Sequence, residues 1–123
     1  MDYRKYKVWA PAYALTRGVY QITRSFPSEE RYGLTAQMRR AAVSVLSNFA
    51  EGMGRSGDRD KARFVHIAIG SANELEVQLD LSRDFGYVSE EAFENSIRQL
   101  REVRRMLSRL ASTLERSRRR VAR

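Results

Sequence analysis

The sequence predicts an all-α protein, an antiparallel up-down-up-down four-helix bundle. Breakers are scarce, with 2 Pro and 7 Gly in 123 residues, and few β-branched residues lie between turn signals. Those breakers fall between four segments whose apolar residues recur at three- and four-residue spacing, the period of a helix with one buried face. The links are short, which favours antiparallel neighbours. A chain of this length folds as one domain that buries roughly two-thirds of its unfolded surface, here expected as a bundle over residues 1–116 and a basic tail over 117–123.

The first helix runs from Val8 or Pro11 to Ser25, with Pro11 tolerable in a first turn and Pro27 blocking continuation. Trp9, Tyr13, Val19, Tyr20 and Phe26 give it a loose apolar pattern whose aromatics are expected to pack or line an edge rather than stack bases. The second follows Tyr32-Gly33 with Thr35 as N-cap and runs to Glu51, where Gly52 and Gly54 supply the stop. The third starts after Asp58 and ends at Phe85 before Gly86, with Phe64, Ala68, Ser71, Ala72, Leu75, Leu79 and Ser82 on one face. Ser89 caps the fourth, which carries Glu90 and Glu91 in its first turn, where the helix dipole favours anions, and continues to Arg116. Its seam is Phe93, Ile97, Leu100, Val103, Leu107, Leu110 and Leu114.

The second helix sorts into three stripes. Leu34, Met38, Ala42, Val45 and Phe49 form the main apolar one; Val43, Leu46 and Ala50 form a smaller one, expected to be buried between subunits. Between them lie Gln37, Arg40, Ser44, Asn48 and Glu51. Polar groups flanked by apolar stripes need partners inside the bundle or at a subunit contact. Glu74 and Gln78 are the natural ones, and an Arg40–Glu74 contact is expected.

Charge bounds the function. Residues 1–100 carry 14 basic and 13 acidic side chains, whereas residues 101–123 carry 9 and 2. The excess at the end of the chain points to a polyanion such as RNA or DNA. Candidate phosphate contacts are Arg101, Arg104, Arg105, Arg109, Arg116, Arg118, Arg119 and Arg120. The competing expectation is an oligomeric protein-interaction scaffold whose arginines are solvated surface.

Other chemistries fall away. With no Cys, disulfide scaffolds, thiolate zinc sites, iron–sulfur clusters and cysteine nucleophiles are excluded. Gly52-Met53-Gly54-Arg55-Ser56-Gly57 spells GxGxxG, but a helix precedes it where a dinucleotide fingerprint needs a strand. A di-iron bundle needs Glu-x-x-His, and Arg63 stands three before the single His66. Glu76 and Asp80 fall opposite the apolar face, away from any joint acidic site with Glu74, and read as solvated surface, as does His66 beside Asn73. No nucleophile, base and orienter can be assembled, so no enzyme, cofactor or metal is expected. The basic start, Arg4, Lys5 and Lys7, precedes an apolar run too short and too Pro-broken for a signal peptide. With no run of roughly 20 apolar residues, the expected setting is soluble and cytoplasmic, without a membrane partner.

Phe26-Pro27, Glu30, Leu34, Gln37, Arg40-Ala41, Ser44, Asn48, Ala50-Glu51-Gly52 and Arg55, followed by Phe64, Ala68, Gly70-Ser71, Glu74-Leu75 and Leu79, resemble the bacterial four-helix-bundle family of 23S ribosomal RNA-intervening-sequence proteins. The resemblance spans residues 5 to 110. It departs at Leu46, where the family often has Pro, and at the Arg-rich end, which the family pattern does not supply. It implies the bundle and a ring-shaped homopentamer, as in relatives that include accessory proteins of diversity-generating retroelements. Those relatives are basic and work with a reverse transcriptase and nucleic acid, so resemblance and charge point the same way. Encoding inside ribosomal RNA genes, common in the family, is a genomic location and does not show RNA binding.

Overall fold

A computed structural model of the chain describes residues 2–122, with side chains as far as Ser117. Helices α1 (Trp9–Thr23), α2 (Leu34–Met53), α3 (Asp58–Asp84) and α4 (Glu90–Ala122) follow one another, with 3-10 turns at Tyr3–Lys5 and Ser28–Glu30. No strand occurs among the described residues. α2 packs on α1 and α3, and α4 on α3 and α1, so the four helices occupy the corners of an up-down-up-down bundle.

The helix ends show how local chemistry sets the boundaries. Thr35, expected as the α2 N-cap, lies buried in the first turn, because Glu30 reaches forward from the 3-10 turn and its Oε1 accepts the Leu34 N–H at 3.0 Å. A carboxylate there satisfies an orphan donor and suits the dipole, freeing Thr35 for the core. Gly52, expected as part of a stop, is inside α2, which ends only at Met53. Its role is contact: a Cβ at Gly52 would stand 2.7 Å from the Phe64 Cβ, so only glycine lets α2 and α3 approach there. α3 ends as expected at Gly86, whose φ of +77° suits glycine. The Tyr87 N–H returns to the Ser82 carbonyl at 2.9 Å and that of Gly86 to Arg83 at 3.0 Å, a Schellman closure. Ser89 Oγ accepts the Ala92 N–H at 3.1 Å and starts α4. The backbone of the expected tail after Arg116 continues α4 to Ala122, so it is a helical extension.

Phe49, Met38, Leu15, Leu75, Leu79, Leu100 and Leu107 anchor the core. In the second turn of α3 Val65 is buried where Phe64 was expected, while Phe64 is half-buried beneath the guanidinium groups of Arg55 and Arg63, 4.7 and 4.5 Å from its ring centre. α1 buries Ala12, Leu15 and Val19, leaving Tyr13 and Tyr20 of the expected apolar pattern exposed. Along α4 the seam drifts from Leu110 to Ala111, the slow rotation expected when 3.6 residues per turn meet a sevenfold pattern.

Candidate nucleic-acid interface

At about 100° per residue, Arg98, Arg101, Arg105, Arg109 and Arg116 fall within an arc of about 80° on the outer side of α4. All five are exposed. Arg98 was not among the residues singled out from the sequence, although it stands three before Arg101 and seven before Arg105 and so extends their row. Arg98 Nη2 donates to Asn95 Oδ1 at 2.6 Å and Arg116 Nη2 to Thr113 Oγ1 at 3.4 Å, neutral partners in both cases. Arg109 shares a cleft of about 280 Å³ with Lys7, so the start of the chain adds a cation beside the row. Arg105 is held by Glu102 one turn back, and the guanidinium keeps that carboxyl below its usual pKa range.

Arg104 belongs elsewhere. It lies about 60° outside the row, toward α3, where Nη1 donates to Glu76 Oε1 and, at 3.0 Å, to Asn73 Oδ1. Arg101 Nη2 stands 3.6 Å from the other oxygen of Glu76. Glu76, expected as solvated surface, is therefore half-buried between two arginines, and its pKa is lowered chiefly by the Arg104 hydrogen bond. Arg104 is a tie between helices, because the antiparallel register of α3 and α4 brings a carboxylate level with it. His66 meets Glu115 of α4 at 2.7 Å on the exposed rim of the same pair. The side chains of Arg118, Arg119 and Arg120 lie outside the described residues.

The polar stripe of α2 forms a smaller network than expected. Ser44 Oγ and Ser71 Oγ meet at 2.8 Å between α2 and α3, and Asn48 Nδ2 donates to the Ser44 carbonyl and hydroxyl, both at 2.9 Å. Gln37, Arg40 and Glu74 are exposed, and the expected Arg40–Glu74 contact is not formed. Two serines in direct contact hold the helices too close for long charged side chains between them, and water solvates those charges better on the rim. Glu51 pairs outward with Arg55 at 3.7 Å. Gln78 is buried with its Oε1 lacking a hydrogen-bond partner among the described residues.

No helix of the described residues is long and apolar enough to cross a membrane. A family model described as 23S rRNA-intervening sequence protein matches residues 4–109. A crystal structure of a protein of unknown function from the S23 ribosomal protein family of Bacteroides thetaiotaomicron is similar in fold, with a TM-score of 0.76 and 20% identity over 85% of this chain and 97% of that one. None of the curated proteins matches.

Proposed function

Because the chain belongs to the 23S rRNA-intervening sequence protein family, we propose that it is a non-enzymatic oligomer that binds nucleic acid, RNA foremost, by phosphate contacts along α4. The observation that carries this reading is the exposed row of Arg98, Arg101, Arg105, Arg109 and Arg116, in which Glu76 offsets Arg101, Glu102 offsets Arg105 and Glu94 lies one turn before Arg98. Arginine presents a fork of donors suited to phosphate, and a row without base-reading geometry binds without sequence preference. The family name points to ribosomal RNA as a first ligand to try. The resemblance adds a homopentameric ring and an accessory role beside a reverse transcriptase, and a ring would repeat the row once per subunit and raise avidity. Val43, Val77 and Leu81, 40%, 60% and 40% exposed on α2 and α3, support burial between subunits.

The test is affinity for RNA and DNA against salt. Several phosphate contacts give a steep log–log slope, about −0.7 per contact on single strands and about −0.9 on duplex DNA. Replacing Arg98, Arg105 and Arg109 together by Ala should shrink the slope by about 2 on single strands. A parent protein that ignores RNA and DNA at low salt removes the reading and leaves the protein-interaction scaffold, which the exposed Ile67 and Phe85 favour.

A further inference from the structure

Residues 3–28 contain five basic side chains, Arg4, Lys5, Lys7, Arg17 and Arg24, and no carboxylate. The balanced count over residues 1–100 conceals this. On α1 the positions of Trp9, Tyr13, Arg17, Tyr20 and Arg24 fall within an arc of about 80°, exposed at Tyr13, Arg17, Tyr20 and Arg24, with Trp9 half-buried against the core at one edge. Rings and guanidinium groups thus share one stripe about 22 Å long, at 1.5 Å rise per residue.

The stripe has relief. A cleft of about 550 Å³ opens between Tyr3, Trp9 and Tyr13 over a floor of Ala10 and Ala14, with Arg17 at its edge. A second, of about 300 Å³, continues past Tyr13 and Arg17 to Tyr20 and Arg24, against Leu46 of α2. No carboxylate lines either cleft. Tyr13 is 50% and Tyr20 39% exposed. The rings are braced: Tyr3 and Trp9 stand 4.6 Å apart between centres, Trp9 and Tyr13 5.9 Å. Behind Tyr20 the Arg39 guanidinium lies 4.7 Å from the ring centre, itself fixed by donating to Thr23 Oγ1 at 2.9 Å. Arg17 and Arg24 are exposed and have no ion-pair partner among the described residues.

We propose that the outer face of α1 is a stacking platform for single-stranded nucleic acid, with bases on Tyr13 and Tyr20 and in the Trp9 cleft and phosphates on Arg17 and Arg24. Charge complementarity selects the occupant. An apolar helix laid on this stripe would bury two guanidinium groups without anions, at high cost. A single strand supplies a π-face and a negative charge at each step, the combination such surfaces use without sequence preference. A duplex keeps its bases stacked inside and offers only phosphates, so the rings would find nothing. This goes beyond the α4 reading, which needs phosphates alone, and the two sites are separable.

The experiment measures binding of a short fluorescein-labelled oligouridine, its deoxy counterpart, an abasic strand of equal length and a duplex by anisotropy. Trp9, the single Trp, serves as an intrinsic reporter. Expected results are quenching of Trp9 by the base-bearing strands, with much weaker quenching by the abasic one. Tyr13→Ala with Tyr20→Ala should lose about tenfold or more on the base-bearing strands, leaving abasic and duplex affinity within twofold. Tyr13→Phe with Tyr20→Phe keeps the rings and should keep the affinity. Arg17→Ala with Arg24→Ala should weaken every strand. Unchanged single-strand affinity in the Tyr→Ala pair overturns the platform, and so does an equal loss on the abasic strand. A changed assembly size with binding intact assigns the face to a second copy and also overturns it. Loss confined to the Arg98, Arg105 and Arg109 variant leaves the α4 reading standing and the platform refuted; loss confined to the α1 variants does the reverse.

Discussion

Arg104 of α4 donates from a single nitrogen to both Glu76 and Asn73 of α3. This contact fixes the register of the longest helix pair in the bundle and converts an apparent surface charge into a structural one. The Glu76 pKa is lowered from its ordinary 4.5, first by the Arg104 hydrogen bond and then by the charges of Arg104 and Arg101.

A pH dependence follows. The carboxyl titrates lower in the folded chain than in the unfolded one, so its contribution is complete above the ordinary glutamate range. It disappears as pH falls through the lowered folded value. Urea unfolding of the parent should weaken along that acid limb. Glu76→Gln should remove on the order of 1 kcal/mol at neutral pH and flatten the limb, since a charge-assisted bond becomes a neutral one. An unchanged limb would show that Glu76 contributes nothing to it.

Two helical glycines should respond with opposite sign. Gly52→Ala introduces a Cβ 2.7 Å from that of Phe64, with the Lys61 carbonyl oxygen 3.3 Å away, so α2 and α3 must separate. The expected loss is about 1–3 kcal/mol, more than the helix propensity gained. Gly70→Ala meets nothing within 4 Å and should add about 0.5–1 kcal/mol. Thermal denaturation of the two variants side by side reads the contrast.

Glu74→Ala should change folding stability by no more than about 0.5 kcal/mol, because the side chain is exposed and has no ion-pair partner among the described residues. The buried pair expected from the sequence would instead cost roughly 3–5 kcal/mol when broken. Chemical denaturation decides between them. A shift in sedimentation or light scattering without a loss of folding would place Glu74 and Arg40 at a contact between copies.

The cores of α3 and α4 were legible because Ala68, Leu75, Leu79, Leu100 and Leu107 repeat at helical spacing and nothing else competes for the inner face. Caps at Ser89 and Gly86 were legible for the same reason, each acting within a few residues of its own position. What pattern alone could not supply was the neighbour. Arg104 looked like its fellow arginines until α3 placed Glu76 beside it. Thr35 lost the N-cap to Glu30, four residues before Leu34, because a 3-10 turn folded that carboxylate back onto the helix. The cationic start of the chain, with Arg17 and Arg24 on α1, was hidden by averaging, since the five basic side chains of residues 3–28 are offset only by acids elsewhere in the first hundred residues.

α1 is the shortest of the four helices, and its buried face is modest: Ala12, Leu15 and Val19 with the hydroxyls of Thr16 and Thr23, which bond back to carbonyls of α1 and across to the Ala42 carbonyl and the Arg39 guanidinium of α2. Few large side chains lock it to the rest. It is therefore the element expected to open at the lowest free energy, exchanging its amide hydrogens ahead of those of α3 and α4 in a cooperative unit of its own. A ligand on its outer face would then be felt far beyond the atoms it touches. It would slow exchange along the whole of α1, tightening the fourth corner of the bundle onto the three that already hold.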